Sequence, residues 1–358
     1  MAQRDKDSAL ARSGFESLVR QAQGDARKLA SLSAIARSIG LRGRARELAN
    51  EACALDPADP EVSALARSTL AADVPEWHFP MVRDQRRNAV YDEALRRAVG
   101  PDSRVLDIGS GTGLLAMMAA RAGAAAVTTC EMNPIVAEAA AEIVRHNGYA
   151  DRIKVIPKAS GELDAERDLG GRADIIVSEI FSNELLGEAV IPVMEDAIAR
   201  LLAPGGQVIP SAATVRVALA WWPGLDERRL QRISGFDLSP FNRLGRTPYR
   251  LEVGDPELSL RSEAADLFSF DFSAGGRFPG GRSQLDLIPD GVVNGVVQWI
   301  RLQLDPQVRY ENRPGPGEAS CWGCLFHPFA GSAEPVGGSA VRIHASHNRN
   351  QLQIWKGA

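Results

Sequence analysis

The feature that most constrains this 358-residue chain is the run from 105 to 131. VLDI, a short apolar run with one acid, leads directly into GSGTG, the helix-compatible LLAMMAARAG follows, and a second strand-like run closes on Glu131. Strand, glycine turn, helix and acid-ended strand form the unit from which doubly wound parallel sheets are built. Glycines 109, 111 and 113 permit a tight turn and close backbone approach, and the helix start beyond them offers amide donors to a carboxylate. An acid closing the next strand is placed to accept bonds from both hydroxyls of a ribose. Asp107, Gly109, Gly111 and Glu131 are therefore expected to bind a nucleoside cofactor. The loop reads G-S-G-T-G where a pyrophosphate-binding loop reads G-x-G-x-x-G, so the spacing favours S-adenosylmethionine over a nicotinamide dinucleotide.

Short apolar runs alternate with helical stretches from Asp102 to Val208. Strands are expected at Arg104–Ile108, Ala126–Glu131, Ile153–Pro157, Ile175–Glu179 and Gln207–Pro210, with ligands at their carboxyl ends. After Pro210 the texture turns strand-like and Gly/Pro-punctuated. Runs at Ala213–Trp221, Leu267–Phe272, Val292–Leu304, Cys321–Pro328 and Val341–Trp355 predict a mostly β unit, a barrel or sandwich. Pro223–Leu244 reads as helical and then irregular, like an inserted arm. Upstream, residues 8–72 carry helical spacing throughout, and Ala45 to Pro57 with a new helix at Glu61 resembles the second helix and exit turn of a tetratricopeptide repeat. One such unit cannot bury its own apolar face, so this segment is expected to pack on the rest of the protein or on a protein partner. The chain is thus expected to hold an all-helical extension (1–74), an α/β, doubly wound Rossmann-like methyltransferase domain (75–209), and a β-barrel-like domain (210–358).

Charge narrows the partners. A net −4 with Arg and acids interspersed gives no basic stripe to track a phosphate backbone, which argues against nucleic acid. The first residues, MAQRDKDSAL, are charged and no stretch is apolar enough to span a bilayer, so a cytoplasmic protein without membrane contact is expected. Four cysteines suit a reducing compartment, and the lone Cys321/Cys324 pair lacks partners for zinc, so no metal is expected.

The strand ending at Glu179 leads into FSNELLGE, which sets Glu188 on a loop able to fold back toward it. Two carboxylates at the mouth of a cofactor site repel unless a cation lies between them, and a guanidinium, planar and with five donors, matches such a pair. In WHFPMVRDQRRNAVY, spacings of three, three, three and four place His78, Met81, Asp84, Arg87 and Tyr91 on one face of a single helix-like stretch. That face is suited to fold over the cofactor as a lid.

Taken together, WHFPMVRDQRRNAVY, VLDIGSGTG, CEMNP, SEIFSNELLGE and LLAPGGQVIPSAAT resemble the protein arginine methyltransferase family over residues 75–358. ISGFDLSPFN and DGVVNGVVQW are similar to its tandem-module branch that makes monomethylarginine, and residues 1–74 suit its tetratricopeptide-bearing member. The resemblance implies transfer of methyl from S-adenosylmethionine to an arginine guanidinium in a protein or peptide. It implies that Glu179 and Glu188 clamp the guanidinium, that Met81 borders the methyl, and that Arg87 binds the cofactor carboxylate with His78 and Asp84 in support. Asp107, Gly109, Gly111 and Glu131 would surround the adenosyl and methionyl parts, and Met132 and the Ser160–Glu162 stretch would meet the adenine. A head-to-tail homodimer through the inserted arm is also implied. The family's Thr-His-Trp loop is matched here by Ser320, Cys321 and Trp322, so a thiol replaces the imidazole. That departure leaves two rivals, a methyltransferase for another small molecule or amine, and a catalytically weak scaffold.

Overall fold

The structure, a computed structural model, describes residues 13–329 and 339–357. The chain divides into two compact units, Met1–His78 and Phe79–Ala358. In the first, residues 13–21 are helical and helices follow at Ala26–Ser38, Arg42–Leu55 and Pro60–Ala71. Two of their starts are written in the sequence. The Asp25 carboxylate accepts the Lys28 amide, Asp59 accepts those of Glu61 and Val62, and Pro60 takes the first helical position. The expected helical run begins at residue 8, and residues 8–12 lie outside the described residues. Phe15, Val19, Leu29, Leu48 and Val62 form a buried core within this unit. The segment supplies more helices than the one repeat expected, and they close over this shared core.

The second unit opens with a five-stranded parallel sheet of order β3-β2-β1-β4-β5. Its strands are β1 (Arg104–Ile108), β2 (Ala126–Cys130), β3 (Ile153–Ile156), β4 (Ala173–Ser178) and β5 (Leu202–Ile209). Val105 of β1 pairs with Val127 of β2 on one side and Ile175 of β4 on the other. Strand order reverses there, and the crevice above the carboxyl ends of β1 and β4 is where such sheets bind ligands. The doubly wound fold is as expected. Helix Gln85–Ala98 is tied to the crevice by the buried Tyr91 hydroxyl, which donates to the Ser178 carbonyl at 3.0 Å.

Past β5 the chain enters β6 (Ala212–Trp221), which pairs antiparallel with Gly295–Gln303 and Ala265–Asp271. These belong to a seven-stranded sheet, accompanied by a three-stranded one of Gly281–Leu287, Val341–His347 and Leu352–Lys356. One apolar core runs from Leu106 and Ile176 of the parallel sheet to Val215 and Ile300 of the β sheet. The expected single run Val341–Trp355 is two strands, because Asn348 accepts the amides of Asn350 and Gln351 and Arg349 sits at φ +83°, turning the chain. The strand expected from Cys321 starts only at Cys324. The arm holds a short helix at Gly224–Arg228, a two-strand hairpin of Arg232–Ile233 and Phe236–Asp237, and a 3-10 helix at Ser239–Leu244. No helix among the described residues is long and apolar enough to cross a membrane.

Candidate active site

The glycine loop has the backbone its sequence requires. Gly109, Gly111 and Gly113 lie at φ +87°, +50° and +77°, a region that costs a side-chain-bearing residue strain. A Cβ on Gly109 would stand 2.8 Å from Ile180 Cγ2, so the loop leaves no room for one. Behind it Asp107 is fully buried and accepts from Thr129 Oγ1 at 2.8 Å. Burial, opposed by that bond and reinforced by the charge of Glu131, raises its carboxyl to about 7. Glu131 follows β2 and accepts the amides of Gly111 (3.2 Å) and Asn133 (2.9 Å), which fixes it at the loop's edge. Met132 beside it is 77% exposed, an apolar surface at the rim. Ser160, buried, opens a 3-10 turn, and the exposed Glu162 folds back onto the Ala159 amide. These residues fit an adenosyl cofactor: a turn stripped of side chains, an anchored acid one strand over, and an apolar rim.

The lid stretch differs from the single helix expected. It breaks at Asp84 into helices His78–Arg83 and Gln85–Ala98, with the Asp84 carboxylate accepting the Arg87 amide at 2.9 Å as the cap of the second. An aspartate competes with the helical backbone for amides and so ends one helix and starts the next. Half-buried Met81 lies in the first helix, Arg87 and Tyr91 in the second. Arg87, only 2% exposed, does not reach outward. Its Nη1 pairs with Oε2 of Glu179, and its Nε and Nη2 donate to Asn88 Oδ1 at 3.2 and 2.7 Å.

Glu179, 8% exposed, stands directly after β4. Its second oxygen, Oε1, is buried with no hydrogen-bond partner. Burial pushes its carboxyl up, to about 8, against the pull of Arg87 and with a smaller push from the charge of Glu188. The segment from Glu179 through Ala189 is strained. Leu185, Glu188 and Ala189 all have positive φ, and Gly187, whose Cβ would meet Ser182 Oγ at 2.4 Å, donates its amide to that hydroxyl at 3.1 Å. Left-handed residues other than glycine cost about 1–3 kcal/mol each and gather where structure serves a site. Glu188 faces solvent on one side; partial burial, then the charge of Glu131, raises its carboxyl above the ordinary range.

The comparisons with known proteins agree with this fold. A family model described as ribosomal protein L11 methyltransferase (PrmA) matches residues 92–214, the parallel sheet and its loops. An arginine N(omega)-methyltransferase of Streptomyces achromogenes subsp. streptozoticus is 40% identical over 279 residues, covering 75% of this chain and 76% of that protein. The chain belongs to the arginine N-methyltransferase family. Members of this family are enzymes that use S-adenosylmethionine to methylate arginine. Protein arginine N-methyltransferase 7 of Oryza sativa subsp. japonica is 35% identical over 254 residues, and the chain spans about a third of its length (35%). In fold the chain is similar to the Trypanosoma brucei PRMT1 enzyme–prozyme heterotetrameric complex with AdoHcy (TM-score 0.67, 22% identity, 80% of this chain and 100% of that one). It is also similar to Arabidopsis thaliana protein arginine methyltransferase 10 (TM-score 0.64, 17% identity, 80% of this chain and 98% of that one).

In this arginine methyltransferase the loop of Ser320, Cys321 and Trp322 is tied to Asp84 and Tyr310. Asp84 Oδ2 accepts the Tyr310 hydroxyl (3.0 Å) and the Cys321 amide (2.9 Å), and Tyr310 also bonds Ser320 Oγ at 2.7 Å. Burial, with Glu179 and Asp84 nearby, pushes the Cys321 thiol far up, so it stands there as a neutral group. Trp322 Nε1 donates to the Phe181 carbonyl (2.9 Å), and Gln298 Nε2 to that of Glu184 (3.3 Å), which holds the glutamate loop from outside. Sequence reasoning missed Asn88, Gln298 and Tyr310. Gln298 carried a signal, a polar residue between VV and W in a run buried on both faces; Tyr310 and Asn88 carried none.

Proposed function

We propose that this enzyme transfers the methyl group of S-adenosylmethionine to a terminal guanidinium nitrogen of an arginine carried by a protein or peptide. The observation that carries this reading is Glu179: one oxygen is held by Arg87 while the other is buried with no donor. An unsatisfied buried acceptor costs about 1–3 kcal/mol, which an incoming guanidinium N–H relieves. In this reading Glu179 and Glu188 grip the guanidinium from two sides and Met81 borders the methyl. Arg87 faces the cofactor carboxylate, Asp107, Gly109, Gly111 and Glu131 surround the nucleoside, and Met132, Ser160 and Glu162 border the adenine. The cofactor supplies an electrophilic methyl on a sulfonium. The glutamates draw positive charge toward their side of the guanidinium, which leaves the lone pair of the reacting nitrogen freer to form the N–C bond as the S–C bond breaks. The proton then lost from nitrogen leaves S-adenosylhomocysteine and methylarginine as products. Alignment and exclusion of water do most of the work, so no strong base is required.

A second acceptor, free arginine, is favoured by one observation: the Streptomyces relative that covers most of this chain is named for arginine and not for protein arginine. Methyl-labelled cofactor offered in parallel to an arginine-rich peptide and to free arginine decides between them. Label recovered as methylarginine in the peptide supports the leading reading, label on the free amino acid the second, and label in another chemical form contradicts both.

The arm supports a homodimer, since Phe236 (71% exposed), Phe241 and Leu244 present apolar side chains to solvent. A tetratricopeptide-like partner surface on residues 1–74 is supported by exposed Leu18, Ile35 and Leu55 outside that unit's core. The cytoplasm as its setting is supported by the four free cysteines, which suit a reducing compartment.

A further inference from the structure

We propose that Asn88 is a positioning residue for the amino-acid end of the cofactor, acting through Arg87; this rests on the reading that Arg87 faces the cofactor carboxylate. A guanidinium has five N–H groups. Here three are committed, Nη1 to Glu179 and Nε and Nη2 to Asn88 Oδ1, which leaves two for a carboxylate. Asn88 is itself buried, and its own orientation is fixed from the far side, because Nδ2 donates to the Val82 carbonyl at 2.7 Å. The carboxamide is therefore locked between the His78–Arg83 helix and the guanidinium. It holds Arg87 in one rotamer on the helix that carries it.

The choice of amide over acid follows from charge. Arg87 already faces Glu179, and a cofactor carboxylate brings a second negative charge to the same guanidinium. A neutral acceptor at 88 orients Arg87 without consuming its charge. An aspartate there would lose the bond to Val82 and repel the incoming carboxylate at close range in a buried site.

The test is calorimetric titration of the full-length chain with two ligands. S-adenosylhomocysteine carries the amino-acid end; 5′-methylthioadenosine keeps the nucleoside and the sulfur and lacks it. For Asn88→Ala the expected result is about tenfold weaker S-adenosylhomocysteine binding, the worth of one buried hydrogen bond. Methylthioadenosine should stay within twofold of the wild type, and Asn88→Asp should lose more of the first ligand than Asn88→Ala. Equal loss for both ligands, as from a general disturbance of the fold, overturns the proposal, and so does loss for neither. Arg87→Ala separates the two layers. If it reduces the preference for S-adenosylhomocysteine while Asn88→Ala does not, only the Asn88 role fails. If Arg87→Ala leaves the preference intact, the assignment of Arg87 to the carboxylate fails, and the Asn88 role fails with it.

Discussion

Glu179 and Asp107 are two buried acids with opposite tasks, and their titration tells them apart. In the proposed reading Glu179 must be ionised to grip a guanidinium, and burial raises its carboxyl to about 8. Transfer at low acceptor concentration is therefore expected to rise as pH climbs from 6 to 9, with a midpoint near 8, in initial-rate measurements of kcat/KM. Glu179→Gln should cut turnover by about 100-fold or more while S-adenosylhomocysteine affinity changes little; equal loss of both contradicts its role. Asp107 bears on stability. Its folded value of about 7 lies above the ordinary carboxyl range, so its contribution to stability is full below about pH 4 and is lost as pH rises through 7. A shift of about three units at 1.36 kcal/mol each bounds the effect at roughly 4 kcal/mol. Asp107→Asn lacks that loss, so its Tm minus the wild-type Tm should grow by several degrees between pH 5 and 8 in cofactor-free thermal melts. A difference that stays flat with pH means the acid is ionised throughout.

At the scale of elements, the glutamate loop is strained locally and held from outside. Trp322, in the loop before strand Cys324–Pro328, and Gln298, in strand Gly295–Gln303, grasp two of its carbonyls. Trp322→Phe removes one bond and keeps the ring, so the acceptor KM is expected to rise about tenfold in steady-state assays while cofactor affinity stays within twofold. Unchanged KM means the loop keeps its shape without that tie. Most elements were legible from the sequence because their signals are local: Gly109 to Gly113 fix a turn, and buried runs beside helical stretches fix a parallel sheet. The break at Asp84 was not, since a helical face and a capped pair of short helices share the same spacing. Nor was the clasp of Tyr310 on Asp84, or of Trp322 on Phe181. These join residues 226 and 141 positions apart, and no periodicity reports on a partner so distant.

For the whole molecule, the arm offers the clearest experiment. Phe236 and Phe241 are exposed on a hairpin and a 3-10 helix that project apolar surface. If they seat on a second copy, the double change Phe236→Glu and Phe241→Glu should halve the mass seen by light scattering at micromolar concentration, with the melting of the chain little altered. A wild-type monomer under the same conditions removes the dimer. A different consequence follows from the order of the parallel sheet. Glu131 follows β2 and Glu179 follows β4, and β1 alone lies between those strands. Strands are spaced about 4.8 Å apart, so the two acids stand at stations roughly 10 Å from one another across the sheet. Under the proposed roles of these acids the backbone hydrogen bonds act as a ruler: one station fixes the sugar, the other the acceptor, and a donor molecule is gauged by whether its length delivers the methyl between them.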